Sequence, residues 1–142
     1  MVLLVSWLWL ALLMALNKFG LNVALQEQGP IILFSELNGF WLKFLFSLMA
    51  IAIAPITEEL IFRGGLYRVF KSHLSCRSSA ILTSVIFATL HFSPAALLPL
   101  FTLSIFLVKS YDRSGNIFVP MVMHAIFNCN SLILMALFHS RT

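Results

Sequence analysis

The chain has 142 residues, 61% of them hydrophobic and 10% charged, with a formal net charge of +4 from 9 Lys and Arg against 5 Asp and Glu. A soluble domain carries about 25% charged residues, so this composition excludes a water-facing surface and leaves a polytopic membrane protein in one domain, residues 1–142. The surplus of base then marks loops on one side of a membrane, and no nucleic-acid partner is expected.

Five apolar segments follow in chain order. The first covers about residues 2–16. It lacks a basic leader region and reads as a retained helix rather than a cleaved signal. It is short against the ~20 residues a span needs, with an extension toward Leu25 as the alternative. A polar connector runs from Asn17 to Asn38 and is broken at Gly29-Pro30. The second segment begins near Phe40, reaches Ile56, and continues through Glu58 and Glu59 to about Lys71. Pro55 is placed to kink it or to start a new helix. The third covers about 79–92 and closes at Ser93-Pro94; the fourth covers about 95–108 and the fifth about 117–138. The fold class is all-α, a transmembrane bundle of about five helices.

The basic residues orient this bundle. Arg63, Arg68, Lys71 and Arg77 flank the second connector, and Lys109 and Arg113 follow the fourth segment. With the third and fourth segments as a hairpin, these six share one face, the cytoplasmic one. Lys18, Lys43 and Arg141 fall on the other. Glu58 lies 13 residues before Lys71, His91 lies 14 after Arg77 and His124 lies 11 after Arg113. At 1.5 Å per residue these sit roughly 16–21 Å from the cytoplasmic helix ends. Three ionisable groups on three helices therefore share one depth.

A carboxylate at membrane depth is costly and marks function. Neighbouring helical residues point about 100° apart, so Glu58 and Glu59 are not expected to face one site. Arg63 follows Glu59 at i,i+4, the favourable order for an intrahelical ion pair. Glu59 and Arg63 therefore read as a neutralised structural pair, and Glu58 is left free for general-base work. Phe87 and His91 share a face at i,i+4, as do His124 and Asn128, whose donors suit a developing oxyanion. No H-E-x-x-H or G-x-S-x-G motif is present. Glu58, His91 and His124 could form a His₂Glu set for a divalent metal such as zinc, or activate water without one; the sequence leaves both open. Cys76 and Cys129 fit neither a disulfide framework nor a metal spacing.

The stretches E-E-L-I-F-R-G-G-L (58–66), F-A-T-L-H (87–91) and H-A-I-F-N (124–128) resemble three ordered signatures, E-E-x-x-x-R, F-x-x-x-H and H-x-x-x-N. These belong to the intramembrane proteases related to the type II CAAX prenyl endopeptidase, a group also called CAAX proteases and bacteriocin-processing enzymes or the abortive-infection family. S-G-N-I-F-V-P before His124 is similar to the lead-in to the last motif. The resemblance covers a core of about residues 40–135. It implies an integral multi-pass protein, of the bacterial cytoplasmic membrane, surrounded by lipid and acting on a peptide or protein that is prenylated in the CAAX case. Glu58 would activate water, His91 would orient it or share its proton, and His124 and Asn128 would stabilise the oxyanion. Glu59 and Arg63 would hold the helix in place, with Phe87 in support. Two other readings compete: an inactive immunity or scaffold protein, and an ion transporter using the same midplane groups.

Overall fold

The computed structural model describes residues 2–21, 33, 34 and 36–139. The described residues form an all-helical bundle of five helices, with no strand among them. They are α1 (Val2–Lys18), α2 (Phe40–His73), α3 (Cys76–Thr89), α4 (Pro94–Ser114) and α5 (Phe118–His139). The extension toward Leu25, most of the 17–38 connector and Arg141 lie outside the described residues.

Local chemistry fixes several boundaries. The Ser75 side chain accepts from the Ser78 N–H to start α3, and Ser93 accepts from Ala96 N–H to start α4, with Pro94 in the first turn. Gly115 ends α4 in the left-handed region at φ 63°, where a Cβ would be strained. The third segment ends three residues sooner than its apolar run: α3 stops at Thr89, and His91 lies in the following turn. The reversal there places Phe92 at φ 49°, a conformation a β-carbon-bearing residue rarely adopts.

Helix α2 runs unbroken through Pro55, but not with uniform pitch. Met49–Ile53 and Leu60–Leu66 are π-helical and flank the ordinary helical stretch Ala54–Glu59. At about 1.5 Å per residue its 34 residues exceed the ~30 Å hydrocarbon core. Its outer face is large and apolar, with Phe40, Trp41, Phe44, Leu45, Ile53 and Ile61 all exposed. That is the surface a helix presents to lipid, since on that face the backbone polar groups are covered by the helix's own hydrogen bonds. Among the described residues α2 and α4 (Pro94–Ser114) are long and apolar enough to cross a membrane by length and composition.

The core lies where α2, α3, α4 and α5 meet. Phe62, Phe87, Ala88, Ala96, Leu100, Leu103 and Leu107 are buried together. Helix α1 joins the start of α4 through a hydrogen bond from Trp9 Nε1 to the Pro94 carbonyl at 2.9 Å. Gly64 packs against Ile117 of the α4–α5 turn, where an added Cβ would meet Ile117 Cδ1 at an ordinary contact distance of 3.4 Å.

Candidate active site

The site is built on the six-residue stretch of α2 between the two π-segments. Each π-segment changes the angular register of the helix, and such bulges frequently mark functional positions. Glu59 and Arg63 are both fully buried, and Arg63 Nη1 donates to Glu59 Oε1 at 2.8 Å. Arg63 Nη2 donates to Ser104 Oγ at 2.8 Å and to the Ser104 carbonyl at 3.2 Å on α4. The guanidinium also lies 5.0 Å from the centroid of the Phe87 ring. A buried charge needs this degree of pairing to be tolerated.

Glu59 does more than neutralise Arg63. Its Oε1 also accepts from His124 Nδ1 at 2.9 Å, with His124 buried. A carboxylate on Nδ1 fixes the orientation of an imidazole and turns Nε2 toward the reacting space. Glu58 Oε2 lies 3.7 Å from that Nε2. The expectation that adjacent glutamates cannot serve one site is therefore corrected. Their 100° divergence is bridged because one imidazole presents two nitrogens on opposite edges, and each carboxylate takes one. The Glu58 side chain is 28% exposed while that of Glu59 is 0% exposed, so the two acids occupy different environments. Glu58 Oε2 is itself buried and has no hydrogen-bond partner among the described residues.

Phe87 is the hub of the remaining contacts. Its ring packs edge-on against Phe62 at 5.0 Å and His124 at 5.7 Å, and tilted against His91 at 4.9 Å, between centroids. His91 Nδ1 is 2.8 Å from the Phe87 carbonyl. A carbonyl only accepts, so Nδ1 carries the proton and Nε2 of the neutral ring is left as an acceptor. Both imidazoles thus gather on one aromatic ring, with their Nδ1 atoms committed to fixed partners.

Asn128 sits one turn beyond His124. Its Nδ2 donates to the Ala50 carbonyl on α2 at 2.9 Å. The reason is legible in the backbone. The Ala54 N–H reaches Met49 O in the π register. The next donor in that register, to Ala50 O, belongs to residue 55, which is proline and has no N–H. Asn128 supplies the missing hydrogen and retains a second one on the same nitrogen. Replacing Asn128 with Ala is therefore expected to cost ~1–3 kcal/mol in a protein retaining Pro55. The cost should fall in a Pro55→Ala background, which restores a backbone donor. Thermal unfolding of the four proteins in detergent measures this; an equal penalty in both backgrounds would contradict the assignment.

The possible metal set Glu58, His91 and His124 does not assemble. Among the described residues no three His, Cys, Asp or Glu side chains are placed to share an ion. Cys129 is half-buried and free. Sequence reasoning missed Ser104, whose signal is a small hydroxyl, with Thr102 one of two, in the apolar run L-F-T-L-S-I-F-L. It also missed the link from Asn128 to Ala50, whose signal is Pro55 in mid-helix.

No curated protein and no solved structure matches the chain. A family model described as type II CAAX prenyl endopeptidase Rce1-like matches residues 39–130. That span is well over half of the chain. It takes in both glutamates, Arg63, Phe87, both histidines and Asn128 of the cluster just described. The chain belongs to the type II CAAX prenyl endopeptidase Rce1-like family.

Proposed function

We propose that this protein is an intramembrane endopeptidase that hydrolyses a peptide bond with water activated by Glu58. The observation that carries the reading is the approach of Glu58 Oε2 to 3.7 Å from His124 Nε2, while Glu59 holds the other nitrogen of that ring. A gap of this size is too long for a direct hydrogen bond, so Glu58 Oε2, which has no partner among the described residues, is left available to a water.

Charge counting supports the division of labour. Arg63 and Glu59 cancel, so the buried cluster is neutral with Glu58 as the carboxylate and His124 as the imidazolium, its Nδ1–H on Glu59 and its Nε2–H turned to the reacting space. Glu58 takes a proton from the water as the oxygen attacks the scissile carbonyl carbon. The carbonyl electrons move onto oxygen, and His124 Nε2–H, backed by Glu59, donates to that oxyanion with the second Asn128 N–H. Glu58 then passes its proton to the leaving amine, giving a new carboxyl and a new amino terminus. His91, with Nε2 as an acceptor, orients the water. Arg63 and Ser104 act through Glu59 and position the cluster.

The proposed substrate is a peptide or protein, and the family suggests a prenylated C-terminal CAAX sequence cut ahead of its last three residues. The purified chain, in lipid nanodiscs, is expected to release the tripeptide from a farnesylated CAAX peptide and not from the same peptide without the lipid. Cleavage of neither peptide, nor of a panel of unmodified membrane-segment peptides, would overturn the assignment as a protease.

A further inference from the structure

A cavity of about 280 Å³ opens at the polar end of α2, well away from Glu58, and is lined by Tyr67, Arg68, Lys71, Ser72 and Tyr111. Its wall is made rigid by Asp112. One oxygen of that carboxylate accepts from Tyr67 Oη at 2.5 Å and the other from Lys71 Nζ at 2.7 Å. Lys71 Nζ also stands 5.4 Å from the Tyr67 ring centroid, and the Tyr67 and Tyr111 rings meet edge to face at 6.3 Å. Both acid oxygens are thus occupied, and the nearest negative charge is cancelled by Lys71.

What remains facing outward is a set of donors. Arg68 is exposed, and its guanidinium has no hydrogen-bond or ion-pair partner among the described residues. Lys71 keeps two N–H groups beyond the one given to Asp112, and the Tyr111 hydroxyl has no partner among the described residues. Ser72 spends its hydrogen on the Val69 carbonyl at 2.7 Å and adds no donor. A fork of guanidinium N–H groups beside an ammonium matches the oxygens of a phosphate.

Position names the source of that phosphate. Arg68 lies ten residues along α2 from Glu58, about 15 Å at the helical rise, which is half of a ~30 Å hydrocarbon core. The apolar run of α2 ends at Leu66, and Tyr67, with Tyr111 of α4 against it, stands at the level where aromatic rings meet headgroups. We infer that this cavity is a binding site for the phosphate of an anionic phospholipid headgroup, held by Arg68, Lys71 and Tyr111. Basic recesses between helices at the cytoplasmic surface take such headgroups. The inference does not depend on the proteolytic reading, because no residue of the Glu58 cluster enters it.

The test uses the full chain purified in detergent, with phosphatidylglycerol and phosphatidylcholine as probes and retained lipid read by native mass spectrometry. The chain should retain phosphatidylglycerol in preference to phosphatidylcholine, whose choline cation would meet Arg68 and Lys71. Arg68→Gln should lower phosphatidylglycerol retention roughly fivefold, the effect of one basic residue at the surface. Arg113→Gln, an exposed charge outside the cavity, should leave it unchanged. Equal retention by the chain and Arg68→Gln, an equal loss in Arg113→Gln, or no preference between the two lipids would each overturn the site. Displacement of phosphatidylglycerol by millimolar inorganic phosphate would reassign the cavity to a soluble phosphate and overturn the lipid assignment.

Discussion

Glu58→Gln is expected to lower the turnover of peptide substrate by a factor of about 10²–10⁴, the range supplied by a positioned general base, with protein abundance and thermal stability unchanged. The amide is the same size as the acid and cannot take a proton from water. The Glu58 side chain is 28% exposed and makes no hydrogen bond to the rest of the cluster among the described residues, so its charge is not needed to hold α2 against α5. Tripeptide release in nanodiscs, normalised to folded protein, is the measurement. Retention of full turnover would remove Glu58 from the chemistry; loss of turnover together with loss of folded protein would make it a structural residue.

The second large effect belongs to the neighbouring position and is of another kind. Glu59→Leu leaves Arg63 buried without its carboxylate and strips His124 Nδ1 of its acceptor. Breaking one member of a buried pair costs ~3–5 kcal/mol, enough to deplete folded protein in the membrane. Replacing both members by apolar residues removes the uncompensated charge. The double variant Glu59→Leu/Arg63→Met should therefore recover much of the lost stability. It should not recover turnover, because the ring of His124 is no longer fixed by a carboxylate. Unfolding midpoints and turnover, measured together on the single and double variants, separate the two roles. A double variant as unstable as Glu59→Leu alone would show that the pair does not account for the stability.

These two predictions differ although the residues are adjacent, and the reason lies in the helix. The spacing of Glu59 and Arg63 is local, and their i,i+4 pairing is read directly from the sequence. The convergence of both glutamates on His124 is not local. It depends on how α5 crosses α2, on the register shift introduced by the π-segments at 49–53 and 60–66, and on the length of two flexible acid side chains. A uniform 3.6-residue period has no place for such a shift. The same limit explains His91, which the apolar run assigns to a helix and the structure places in the turn after Thr89. Apolar residues continue past the point where the helical bonding gives way to the tighter turn bonds from His91 N–H to Ala88 O and from Phe92 N–H to Thr89 O.

Composition and apolar run lengths alone determined that the chain is an all-helical membrane bundle, because so few charges cannot cover a water-facing surface. The ordered motifs also identified the residues of the cluster, since ionisable groups stand out where lipid makes them expensive. Only the tertiary structure decided which atoms face each other: Glu59 under His124, Ser104 under Arg63, and Asn128 on the carbonyl that Pro55 leaves without a donor. Those pairings join positions 41 to 78 residues apart. Partners at such separations are chosen by helix packing, which a one-dimensional pattern of residue types does not encode.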